Sequence, residues 1–165
     1  LFGIRLGSIS FRSEGAKFVI NKSDAFFNQL DDDSIIELHF QPDYRYNQAS
    51  KDATIHQQIY HNFLDAKFVL LVPSATIIAY TLKHDILYPK DFFAKSEFGI
   101  LEIYDIGDIK SWKQRKNGEI INYFKEHDKK MMLIRGYGVY IYGRDIYEMV
   151  RKIEILERSC KVLGE

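Results

Sequence analysis

The side chains able to bind a metal or move a proton are few and scattered along this chain. The five histidines are His39, His56, His61, His84 and His127. No two stand at the short strand spacing that would aim both imidazoles at one ion. Asp52 and His56 lie four residues apart, so on a helix they share a face and can meet. The expected role of His56 is a helix histidine hydrogen-bonded to that carboxylate or partly packed. Cys160, the single cysteine, falls on an apolar stripe where a thiol packs and stays unreactive. Asp31-Asp32-Asp33 reads as a solvated turn and not as a cation site. Gly136-Tyr137-Gly138 lacks the third glycine and the helix start of a dinucleotide-binding loop. Lys110, Lys113, Arg115 and Lys116 crowd around Trp112. With no nucleic-acid module in sight, they read as a solvated loop.

The elements that must position these residues follow from patterning. Ile9–Phe11 and Lys17–Asn21 read as strands joined through Ser13-Glu14-Gly15, and Ile35–Phe40 as a third. Ser50 is placed to cap a helix running to Phe63, with Ile55, Ile59, Tyr60 and Phe63 as its apolar stripe. Lys67–Val72 is a short apolar run that suits a buried strand. Pro73-Ser74 opens a helix through Lys83 with Ser74 as cap. A longer connection around Pro89 leads to a strand at Gly99–Tyr104, and a helix is predicted at Glu119–His127. Met131–Ile134 and Val139–Tyr142 are strands around the Gly136-Tyr137-Gly138 turn. Asp145 and Glu148 begin the last helix in the manner of a capping box. Ile146, Met149, Val150, Ile153, Leu156, Cys160 and Leu163 mark one face of it.

Composition narrows the function classes. The 165 residues carry 23 Lys+Arg and 23 Asp+Glu, a formal net charge of zero. That balance gives no electrostatic case for nonspecific binding to nucleic acid or an anionic membrane. No apolar run approaches the ~20 residues that a membrane helix needs. The 12 Phe and 11 Tyr supply large side chains for a sizeable core, and three prolines without low-complexity sequence mark no linker, so one domain over 1–165 is expected. A lone cysteine favours a reducing compartment, hence a cytoplasmic protein. The Lys, Ile, Tyr and Asn content fits an AT-rich bacterial genome. Short strands mixed with helices indicate an α/β or α+β domain with a largely antiparallel sheet.

Four blocks, in order, carry a resemblance. They are Gly7-Ser8-Ile9-Ser10, then Ser50-Lys51-Asp52 with His56 and Tyr60 at four-residue steps, then Asp65-Ala66 before a strand. The fourth runs from Leu133-Ile134-Arg135-Gly136-Tyr137-Gly138 through Gly143-Arg144-Asp145 to Ile155-Leu156-Glu157. Together they resemble the class II aldolase/adducin family over nearly the whole chain, lacking only that family's first helix. The resemblance implies a three-layer α/β/α fold with a mixed, mainly antiparallel sheet. It also implies a homo-oligomer, usually a tetramer, and a place in carbohydrate metabolism. Family enzymes hold zinc on three histidines, a His-x-His pair and a His-Gly histidine, and use it as a Lewis acid on a phosphorylated sugar. The adducin head shares the fold without that catalysis.

The departure from the family pattern decides what to expect. The three ligand positions read Leu71, Pro73 and Tyr137, and no histidine lies between Asn62 and Lys83. Hydrocarbon side chains offer zinc no lone pair, and loss of ligands removes affinity and with it several kcal/mol of enediolate stabilisation. No cofactor is therefore expected. Asp52 stands at the family's proton-transfer carboxylate, one methylene shorter, and is expected in a helix first turn where a carboxylate favours the dipole. The resemblance places phosphate contacts at Ser8, Ser23, Ser50 and Lys51, with Lys51 at a helix start that suits an anion. Asp24 replaces a glycine there and sets a negative charge against it. The expected function is a degenerate, zinc-free member acting as a binding or assembly module for a small phosphorylated or acidic ligand. The alternatives are a sugar-phosphate aldolase or epimerase with a rebuilt site, or a metal-free enzyme using Asp52 and Tyr137 as catalytic proton-transfer groups.

Overall fold

A computed structural model describes residues 7–25 and 30–164. Its strands are β1 (Ser8–Ser13), β2 (Lys17–Asn21), β3 (Ile35–His39), β4 (Phe68–Val72), β5 (Ile86–Leu87), β6 (Leu101–Tyr104), β7 (Met131–Ile134) and β8 (Gly138–Gly143). They form one sheet in the order β3-β2-β1-β4-β8-β7-β6-β5. Every pairing is antiparallel except β6 with β7. The helices are α1 (Ala53–Asn62), α2 (Ala75–Lys83), α3 (Phe92–Glu97), α4 (Ile109–Glu126) and α5 (Ile146–Leu163).

The two-residue period of the central strands sorts their side chains into two cores. Val69, Leu71, Met132, Ile134, Tyr140 and Tyr142 pack on α1 and α4. Leu70, Val72, Met131, Leu133, Val139 and Ile141 point the other way, against α2 and α5. Strands covered on both faces read as continuous apolar runs, which is why β4, β7 and β8 show no alternation in sequence. Helices thus cover both faces of a mixed, mainly antiparallel sheet, as the fold-class expectation held. All seven residues expected on the face of the last helix lie in the second core or against it.

Three local expectations need correction. The stretch from Lys110 to Lys116 is the first half of α4, not a loop, and the helix starts at Ile109 instead of Glu119. Lys113 to Glu119 contains no apolar residue and one glycine, so periodicity is lost there, but Trp112 and Ile120 anchor the same helix on either side. The connection around Pro89 holds β5 and α3. Ser50 does not cap α1: Asp52 is the cap residue, and the Ser50 hydroxyl instead accepts the Asp52 backbone N–H at 3.3 Å. Ser74 does cap α2, accepting from the Ile77 N–H. Asp31 caps a single exposed turn of 3-10 helix at Asp32–Ser34.

Candidate functional site

A cleft of about 460 Å³ opens where the ends of β2 and β4, the start of α1, the middle of α4 and the β7–β8 turn converge. Backbone geometry builds it. Gly136 and Gly138 adopt φ of 70° and 131°, values that side chains rarely tolerate, and Tyr137 is carried between them. A Cβ on Gly138 would lie 2.6 Å from the Val72 carbonyl oxygen and 2.8 Å from Pro73 Cα. The turn can therefore press against the end of β4 only because this residue is glycine. That contact brings Leu71, Pro73 and Tyr137, far apart in sequence, onto one wall with Asp52.

The cleft's charged centre is a carboxylate, an ammonium and a phenol. Lys116 Nζ lies 2.9 Å from Asp52 Oδ1, with only 15% and 8% of the two side chains exposed. Partial burial strengthens the attraction within this pair, costs both groups hydration, and makes the loss of either partner more costly than at an open surface. Lys116 Nζ also lies 3.5 Å from the Tyr137 hydroxyl, which in turn lies 3.4 Å and 3.5 Å from the two Asp52 oxygens. Burial, then the Asp52 charge, push the Tyr137 phenol well above its usual pKa, so it stays a neutral donor. Trp112 meets the Tyr137 ring edge-on at 5.9 Å and holds it in place.

A second polar cluster begins one turn further along α1. His56 is fully buried, with Nε2 2.6 Å from the Ser8 hydroxyl and Nδ1 2.6 Å from the Ser10 hydroxyl. Ser10 is also 2.7 Å from the Tyr60 hydroxyl. Burial lowers the His56 pKa to about 4, against an opposing pull from the Asp52 charge. A neutral imidazole suits two hydroxyl partners, donating from one nitrogen and accepting at the other. Of the two roles expected for His56, the packed one holds and the carboxylate hydrogen bond does not: Asp52 turns to Lys116, and His56 to the serines of β1.

The sequence-derived positions divide accordingly. Ser23, Ser50, Lys51, Asp52, Leu71, Pro73 and Tyr137 all line the cleft. Ser8 does not, since it is wholly buried with its hydroxyl on His56, and it is Gly7 beside it that reaches the cleft. The reason is the strand period, which sends Ser8 and Ser10 to the same face, toward α1. Asp24, expected as a repulsive charge, is absent from the lining. Cys160 is buried, and its thiol is pushed up to about 12 by burial and by Glu157. Lys116 is the residue that sequence reasoning misplaced. Its signal was the spacing Trp112, Lys116, Ile120, Phe124, a four-residue stripe of one helix face interrupted by a single charge.

The wall formed by Leu71, Pro73 and Tyr137 does not suit zinc. Two of the three side chains have no donor atom, and the third is a phenol held neutral by its surroundings. Among the described residues there is no group of three His, Cys, Asp or Glu able to hold a metal ion.

An α/β/α domain with a charged cleft at the strand ends matches one known class of protein. Residues 2–163 match the Class II Aldolase and Adducin N-terminal domain, and the chain belongs to this family. An L-fuculose phosphate aldolase of Methanocaldococcus jannaschii is 20% identical over 159 residues, covering 94% of this chain and 82% of that protein. Two solved structures share the fold. The L-fuculose-1-phosphate aldolase from Thermus thermophilus has a TM-score of 0.80 at 20% identity, over 95% of this chain and 80% of its own. A sugar-phosphate aldolase from Thermotoga maritima has a TM-score of 0.68 at 18% identity, over 95% and 83%.

Proposed function

We propose that this protein is a zinc-independent member of its family that binds a small phosphorylated or acidic ligand in the cleft between α1, α4 and the β7–β8 turn. One observation carries the proposal. The positions where the family pattern calls for imidazoles hold Leu71, Pro73 and Tyr137, and all three face the same cleft as Asp52. A zinc-dependent lyase step has no support from such a wall. Ser23, Ser50 and Lys51 offer hydroxyls and an ammonium for a phosphate, and the cleft has the volume of a small-molecule site. Relatives named for phosphorylated sugars support that ligand class. In this reading the chain acts by binding, as a homo-oligomer in the cytoplasm. No helix among the described residues is long and apolar enough to cross a membrane.

A second reading has its own observation. The Tyr137 hydroxyl lies 3.4 Å from Asp52 Oδ1, a pairing able to relay a proton in a metal-free aldolase or epimerase. Under that reading Asp52→Asn and Tyr137→Phe each abolish turnover of a phosphorylated sugar while the fold persists.

Native mass spectrometry of the full-length protein, purified without chelator, tests the first reading. It reports subunit number and bound metal together. A metal-free oligomer that gains mass on inorganic phosphate supports the proposal. One stoichiometric zinc or other divalent ion per subunit overturns it, and retro-aldol assays with and without chelator then take its place.

A further inference from the structure

We infer that Lys116 is a second anion-binding group of the cleft, placed to take a carboxylate or enolate-type oxygen of a ligand whose phosphate sits at Ser23, Ser50 and Lys51. The inference rests on the proposed function and adds to it the nature of the ligand's other end.

Four observations support it. The first is charge. Among the described residues, Lys51, Asp52 and Lys116 are the charged side chains on the cleft wall, one positive charge in excess. A guest with a phosphate and a second oxyanion complements that excess better than a neutral sugar does. The second is unused bonding capacity. An ammonium has three N–H donors. Lys116 gives one to Asp52 at 2.9 Å, and its contact to Tyr137 at 3.5 Å sits at the outer limit of a hydrogen bond. Among the described residues at least one donor is left for a guest, and the neutral Tyr137 hydroxyl can add another.

The third is rigidity. Trp112 and Ile120, each four residues away on α4, are buried and lock the turn that carries Lys116. Arg115 further secures the helix start, donating to the Ile106 and Asp108 carbonyls and pairing with Glu119. With the turn fixed before the ligand arrives, only the side chain of Lys116 has freedom to give up on binding. The fourth is surroundings. Leu71, Pro73 and Ile78 form an apolar wall of the same cleft, and a low local dielectric strengthens each charged hydrogen bond.

The position gives this a chemical meaning. The ammonium lies beside Asp52 in the cleft that Leu71, Pro73 and Tyr137 also line, the side chains that do not suit a metal. A positive charge facing a ligand oxygen is therefore supplied by a side chain instead of an ion. Its charge favours an oxygen anion over a neutral hydroxyl, and its N–H bonds fix where that oxygen sits. An ion pair that merely joins α1 to α4 would occupy the same atoms, and the two roles separate experimentally.

The test is isothermal titration of the full-length protein with two probes, inorganic phosphate and 2-phosphoglycolate, which carries a carboxylate as well. The wild type should bind 2-phosphoglycolate about tenfold or more tighter than phosphate, the increment of one charge-assisted contact. Lys116→Met should erase the increment and weaken phosphate itself far less, and retained phosphate binding certifies its fold. Lys116→Arg, which keeps the charge, should retain part of the increment. Lys51→Met should weaken both probes alike and leave their ratio intact. An increment equal in wild type and Lys116→Met overturns the inference but leaves the proposed function standing. Loss of both probes in a Lys116→Met protein that still unfolds in one cooperative melting transition shows a single anion subsite and also overturns it. An increment that disappears with a chelator assigns the charge to a metal and overturns it too. If neither probe binds the wild type, the proposed function fails, and the inference falls with it.

Discussion

Two polar clusters leave helix α1 one turn apart, and they are built in opposite ways. The His56 cluster is short-bonded and closed, with contacts of 2.6 to 2.7 Å to Ser8 and Ser10 and between Ser10 and Tyr60, all beneath the surface. It carries no net charge, since burial keeps the imidazole neutral. The Asp52 cluster is charged and slack, with one firm contact at 2.9 Å and the rest at 3.4 to 3.5 Å, and it faces a cleft. A saturated neutral network contributes to the fold and has nothing left for a guest. A loose charged one has donors and charge to spare. The same helix therefore serves the fold with one turn and the cleft with the turn before it.

The sharpest way to break that contrast is His56→Ala. It leaves a cavity in the core and strips partners from Ser8 and Ser10 at once. We expect a loss of about 3 to 5 kcal/mol in urea unfolding. A loss under about 1 kcal/mol would mean that water fills the cavity and the network is dispensable.

Next in size is the pH dependence of stability. The His56 pKa is about 4 in the folded chain and about 6.5 in the unfolded one. Between those values the unfolded state binds the proton and the native state does not, so stability falls as pH falls. The full contribution is present above about pH 6.5 and is lost progressively down to about pH 4, a total of about 3 kcal/mol at most. Melting curves at pH 7, 6 and 5 should show the decline. His56→Gln, less stable throughout, should show a flatter one over that window. Identical slopes would assign the acid sensitivity to other groups.

Third, Asp52→Asn or Lys116→Met should each cost about 1 to 2 kcal/mol, because each leaves one desolvated charge without its partner. The cleft admits water, which keeps the cost below that of a fully enclosed pair. Removing both charges should recover most of the loss. A double variant as unstable as the sum of the singles would show that the pair is no unit.

How far the sequence carried these two clusters differs in an instructive way. Strands β1, β2, β7 and β8 and helix α5 were legible because their turn signals or apolar stripe were unbroken. Helix α4 was not, because seven residues without an apolar side chain stand between Trp112 and Ile120. Lys116 therefore reads as part of a loop, and the charge at the centre of the cleft goes unseen. The candidate site's outline was better: ungapped motif spacing put Leu71, Pro73, Tyr137 and Asp52 in correspondence, and all four line one cleft. Ser8 failed for a reason visible in the strand itself. Ser8 and Ser10 share a face, as do His56 and Tyr60 on α1, and two such polar pairs facing each other form a network inside the domain. A motif position says which residue is at a strand start, but only the alternation says which way it points.

The smallest effect gives the finest discrimination, because the same chemical change can be made once in each cluster. Tyr60→Phe removes a hydroxyl bonded to Ser10 at 2.7 Å in the sealed network. It should cost about 1 to 1.5 kcal/mol, the net worth of one buried hydrogen bond with the partner left short. Tyr137→Phe removes a hydroxyl whose nearest partner is 3.4 Å away. The ring keeps its edge contact with Trp112 at 5.9 Å, and the Asp52–Lys116 pair is untouched. Its cost should stay within about 0.5 kcal/mol. Equal losses at the two tyrosines would make the cleft cluster as structural as the buried one, whereas a loss confined to Tyr60 leaves the Tyr137 hydroxyl free of any duty to the fold.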